Sequence, residues 1–68
     1  MNIVDWSKIK VDTEVIVSDN NIDWKHRHFA MYKDGRFYTW EQGKTSFTVY
    51  KKIEAYMVRW QYCKLYRE

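Results

Sequence analysis

The chain has 68 residues, a net charge of +3, one cysteine, no proline, and an aromatic complement of four Trp, six Tyr and three Phe. At this length it forms one domain, residues 1–68, whose folding buries only about 60% of the surface the unfolded chain exposes. The single cysteine excludes an internal disulfide, and no Cys/His set has structural-zinc spacing, so aromatic side chains or oligomerisation must make up for a thin core. The sequence has no apolar signal-like start and no run of about 18 apolar residues, which reads as a cytoplasmic protein with no membrane role.

Taken in order, Asp5 is placed to cap a short helical turn through Lys8 or Ile9, with Trp6 and Ile9 docking it on a sheet. Glu14 to Ser18 is apolar and β-branched, a first strand covered on both faces. Asp19 to Asp23 is a polar loop of turn-forming residues. Trp24 to Lys33 and Arg36 to Trp40 then flank Asp34-Gly35, the strongest short-range hairpin signal, because a type I′ turn needs positive φ at both central residues. On the outgoing strand the alternation puts Trp24, His26, His28, Ala30 and Tyr32 on one face, with Lys25, Arg27, Phe29, Met31 and Lys33 on the other. Neither face is uniformly apolar, as a strongly twisted strand with different neighbours along its length would be. Phe37 shares a face with Thr39, and Tyr38 shares one with Trp40.

Phe47 to Tyr50 reads as a fourth strand after the Gly43 loop, and Lys51 to Glu54 as a charged connection. Residues 55–66 fit both periods, although their β-branched and aromatic content favours a strand from Val58 to Leu65, entered by a helical turn at Ala55-Tyr56-Met57. Five short strands point to a mainly all-β fold, a small antiparallel barrel of the SH3-like or OB-like kind.

Charge is unevenly spread. Residues 1–24 carry two Lys against five acids, a net of −3, and residues 25–68 carry ten Lys and Arg against four acids, a net of +6. One surface preferring anions is the functional reading, and general solvation is the plain one. Gly43-Lys44-Thr45-Ser46 is no P-loop: Tyr38 stands where the first Gly belongs, and a strand-like run follows in place of a helix. It is either a modest anion nest or a turn whose hydroxyls satisfy their own backbone. His26 and His28 share a side of the strand, but a metal site would need a further ligand, Asp23 or Cys63, and no cofactor is implied. Cys63 reads as a half-buried side chain. Nothing forms a nucleophile elbow or paired carboxylates, so an enzyme is not the expectation. The stronger signal is cations interleaved with rings, which suits an anionic nucleotide-like ligand or single-stranded nucleic acid.

The runs Trp24-Lys25-His26-Arg27-His28-Phe29-Ala30, Gly43-Lys44-Thr45-Ser46-Phe47 and Trp60-Gln61-Tyr62-Cys63-Lys64-Leu65 resemble a group of small proteins encoded by bacteriophages and prophages, in which Trp usually stands at the place of Phe47. The resemblance implies a phage context and a binding role, such as capturing a host immune nucleotide signal, coating nucleic acid or blocking a host protein. On this reading Arg27, Lys44 and Arg59 pair with phosphate. His28, Thr45 and Ser46 supply hydrogen bonds, and Trp24 or Trp40 stacks a base. A homo-oligomer with the ligand at a subunit interface is one form it could take.

Overall fold

The computed structural model describes residues 4–51 and 54–66. Ile3 of the N-terminal segment, and Lys52 and Ile53 of the expected charged connection, lie outside them. The five strands are β1 (Glu14–Ser18), β2 (Lys25–Lys33), β3 (Arg36–Trp40), β4 (Met57–Trp60) and β5 (Tyr62–Leu65). They make one antiparallel sheet in the order β4-β3-β2-β1-β5. Before β1, Asp5 accepts from the Ser7 N–H at 3.1 Å and caps a 3₁₀ turn, Trp6–Lys8. So short a turn is not stable alone. It is held because the Trp6 ring lies 5.7 Å from that of Phe29 and 5.1 Å from that of Phe37.

The core gathers on the inner face of β1. Val15 and Val17 are fully buried and Phe29 and Trp60 nearly so, and Trp6, Ile9, Phe37, Val58, Cys63 and Leu65 pack around them. Facing pairs across β1 and β5, Val15 with Leu65 and Val17 with Cys63, close this layer. Ile16, on the other face, is only half-buried. Thr39 is a polar side chain deep in the layer. Its hydroxyl accepts from the Trp60 indole N–H at 2.9 Å and donates to the Trp40 carbonyl, so neither group is left unsatisfied.

The hairpin turn forms as expected, with φ of 52° at Asp34 and 76° at Gly35. The mixed faces of β2 have a specific cause. A bulge between Phe29 and Met31 shifts the register, so the inward side passes from Arg27 and Phe29 to Tyr32, which faces Phe37 on β3. The first half of β2 thus pairs with β1 and the second half with β3.

Three expectations are corrected. Residues 47–50 are a turn, not a strand, because the Thr45 and Thr48 side chains take up the local backbone groups that a ladder would need. The segment after Tyr56 is two strands. A break at Gln61, whose N–H donates to the Asp19 carboxylate at 3.2 Å, sends the chain from one edge of the sheet to the other. The sheet is also not closed into a barrel, since β4 and β5 remain its two edges. The helical entry is present as a 3₁₀ turn, Glu54–Tyr56, tied to the hairpin by Lys33 Nζ, 3.3 Å from Glu54.

Candidate anion-binding groove

The first half of β2 is open on one side. The Phe29 N–H donates to the Thr13 carbonyl at 2.9 Å and the Asp12 N–H to the Phe29 carbonyl at 2.7 Å. By the alternation of an antiparallel ladder, Lys25, Arg27 and Phe29 therefore turn their backbone groups toward β1, while His26 and His28 turn theirs away. On that far side β3 reaches back only as far as Phe29, opposite Thr39. A groove of about 490 Å³ follows, lined by Lys25, His26, Arg27, His28, Gln42 and Gly43. Its charged lining is cationic, Lys25 and Arg27, with no carboxylate among the lining residues. Arg27 is held in place: one guanidinium nitrogen donates to the His26 carbonyl at 2.7 Å, and the group lies 5.8 Å from the centre of the Trp60 ring.

The His26 imidazole leans toward an acid. His26 Nε2 is 3.6 Å from Glu14, and its ring lies 4.4 Å from Tyr66 and 5.6 Å from His28. His28 lies close enough to Asp12 to stabilise its charge. Among the described residues, no group of three or more His, Cys, Asp and Glu side chains could hold a metal ion. Cys63 sits in the core margin, where burial pushes its thiol up to about 12, so it holds its proton at neutral pH.

Of the residues proposed from the sequence as ligand contacts, Arg27 and His28 line this groove, whereas Trp24 lines a neighbouring one with Asp19, Ile22 and Trp60. Trp24 is half-buried, with the Lys64 ammonium 4.6 Å from its ring centre on the outer face of β2. Lys44 and Arg59 do not converge there. Lys44 lines a separate cavity of about 200 Å³ with Tyr50 and Tyr56, and Arg59 is exposed on β4 opposite Tyr38. Trp40 is 2% exposed, so neither ring face is open to stack a base. Ser46 is buried, and both its N–H, at 2.8 Å, and its hydroxyl donate to Asp12. Thr45 donates its N–H to the Thr48 hydroxyl and accepts from the Phe47 N–H with its own.

Lys44, Thr48 and Val49 likewise spend their N–H groups on the carbonyls of Glu41 and Thr45. Every backbone donor from Lys44 to Val49 is therefore committed inside the loop or to Asp12, and no anion nest exists there.

Asp12 is what ties down this loop. It sits at φ 71°, a conformation that aspartate tolerates better than most residues. Partial burial pushes its carboxyl up. The Ser46 hydroxyl and N–H, the Trp40 indole N–H and the nearby His28 outweigh this and hold it below the ordinary 3.8. The Trp40 N–H lies against that carboxylate without a regular hydrogen bond.

Asp12 and Gln42 escaped the sequence reading, which weighed Lys25 only among the basic residues, His26 as a metal ligand and Gly43 within a phosphate-binding turn. Lys25 and His26 were visible as neighbours of Arg27, whereas Gln42 and Gly43 reach the groove only through the path of the loop. Fold and groove together define a small open antiparallel β domain with a cation-lined cleft beside its second strand. No family model, curated protein or solved structure matches the chain.

Proposed function

We propose that this protein is a non-enzymatic binding module for a small anionic ligand of nucleotide type, taken up in the groove beside β2. The observation that carries the reading is the convergence of Lys25 and Arg27 on a cleft with no lining carboxylate. Its volume is within the range of ligand sites, about 300–1,000 Å³. Lys25 and Arg27 pair with phosphate, Arg27 being oriented in advance by its bond to the His26 carbonyl. His26 and His28 supply hydrogen bonds from their imidazoles, and Trp24, next to Lys25 in the chain, offers a ring face for a base. The resemblance to phage-encoded proteins makes sequestration of a host nucleotide signal the natural setting.

Isothermal titration with a panel of mono-, di- and cyclic nucleotides tests this. Arg27→Gln removes the charge, and with it the guanidinium over Trp60, while keeping a polar side chain. It is expected to weaken binding about 10- to 100-fold, the worth of one charge-assisted hydrogen bond. Lys44→Ala is expected to leave affinity unchanged. Wild-type binding by Arg27→Gln would overturn the assignment.

A second reading, single-stranded nucleic acid, is favoured by one observation: Trp24, Tyr62 and Lys64 share the outer face of the β5-β1-β2 half-sheet. A strand touching many phosphates gives a salt slope of about −0.7 per contact, against the shallow dependence of a mononucleotide.

A further inference from the structure

We infer that this chain associates head to tail with copies of itself, the loop tip carrying Phe47 and Tyr50 on one copy seating in a groove beyond the end of β1 on the next. The inference does not depend on the proposed ligand, although Lys25 lines both grooves and Trp24 is offered to both. Phe47 is 87% exposed and Tyr50 81%, the two most exposed large apolar side chains among the described residues. They are presented by a loop that is already ordered: its backbone donors are satisfied internally, and Ser46 is anchored to Asp12. Such a tip can be covered by a partner without leaving its backbone donors unpaired. Its flanking charges are Lys44 and Lys51, both exposed, with no acid between them.

The complementary surface is on the same molecule. A groove of about 520 Å³ has Trp24 and Trp60 in its lining, Ile22 at 76% exposure, and the carboxylates of Asp19 and Asp23 beside Lys25. It too is built in advance. The buried Ser18 hydroxyl accepts from the N–H groups of Asn20 and Asn21, and the Asn20 side-chain oxygen accepts from those of Ile22 and Asp23 at 2.9 Å. Aromatic knobs between lysines thus match a ring-lined groove bearing carboxylates.

The two surfaces lie at opposite ends of β1, because Asp12, which anchors the tip loop, precedes the strand and the Asp19–Asp23 loop follows it. A five-residue strand separates them by roughly 17 Å. The contact is therefore heterologous, building a ring or an open chain of subunits rather than an isologous pair.

Sedimentation velocity over a concentration series, at low and high salt, reads this directly. Wild type is expected to gain mass with concentration and to lose that gain in high salt. Phe47→Ser, which disables the tip, and Ile22→Lys, which disables the groove, are each expected to stay monomeric, with circular dichroism confirming that both fold. Mixed together, the two variants are expected to form a 1:1 complex that grows no further, because each retains one working surface. A monomeric wild type at all concentrations, association that survives both substitutions, or a mixture that stays monomeric would each overturn the inference.

Discussion

Two clusters hold this molecule, and they are built on different principles. The inner layer around Val15, Val17, Phe29 and Trp60 is apolar, with Thr39 satisfied by Trp60. On the outer face of β3, Trp40 is as deeply buried as Phe29, yet the carboxylate and hydroxyl of Asp12 and Ser46 secure the loop beside it. The first cluster depends on area removed from water and is insensitive to direction. The second depends on a few aimed hydrogen bonds to one charge, and it fails if that charge is lost. A chain too short for one large core has used a polar tie to keep a second tryptophan covered.

The largest expected effect strikes the apolar layer. Phe29→Ala or Trp60→Ala should cost about 3–5 kcal/mol, much or all of the stability of so small a domain, and urea titration should show a collapsed midpoint or an unfolded chain. Ser46→Ala, by contrast, removes one donor to the Asp12 carboxylate, and should cost about 1–2 kcal/mol. Its mark would be local: hydrogen exchange should speed up from Lys44 to Val49 while β1 and β2 keep their protection. Equal loosening of both regions would show that the two clusters are one cooperative unit.

Acid separates them in another way. The folded state lowers the Asp12 pKa, so the stability this group contributes is present above its unfolded value of about 3.8 and is lost as pH falls through the lower folded value. Below pH 3.8 the fluorescence of Trp40 should therefore report loosening of its cover, and Asp12→Asn should remove that step of the titration.

The smallest effect concerns the glycines. A Cβ at Gly35 or Gly43 would meet no atom within 4 Å, but φ is +76° and +75°. Alanine at either should cost only the conformational strain, about 1 kcal/mol, read as a shift in urea midpoint. A larger penalty at Gly43 than at Gly35 would mean that the polar tie transmits strain which the hairpin does not.

Much of this was legible beforehand, and the misses share a cause. Asp5 as a cap, the hairpin at Asp34-Gly35, the first strand and the helical entry before β4 are all set by interactions within a few residues, and each formed where the local pattern put it. Phe47 to Tyr50 has strand composition, but Thr45, Ser46 and Thr48 redirect its backbone, and the partner of Ser46 lies 34 residues away at Asp12. Trp40 could not be assigned to core or binding face, because that depended on which loop came to cover it. Lys44 and Arg59 looked like companions of Arg27 when only their chemistry was known, and the sheet order placed them elsewhere.

What the amino-acid order decided unaided was therefore local: turn positions, strand propensity, the absence of a disulfide, and a positive second half. What only the tertiary structure decided was convergence, namely which cations share a cleft, which indole is sealed, and which edge of β2 stays open. Hydrogen bonds between neighbours and side-chain alternation are encoded over a few residues. The shape of a groove depends on how far β3 extends along β2 and where the following loop is tied, and those are properties of the assembled sheet.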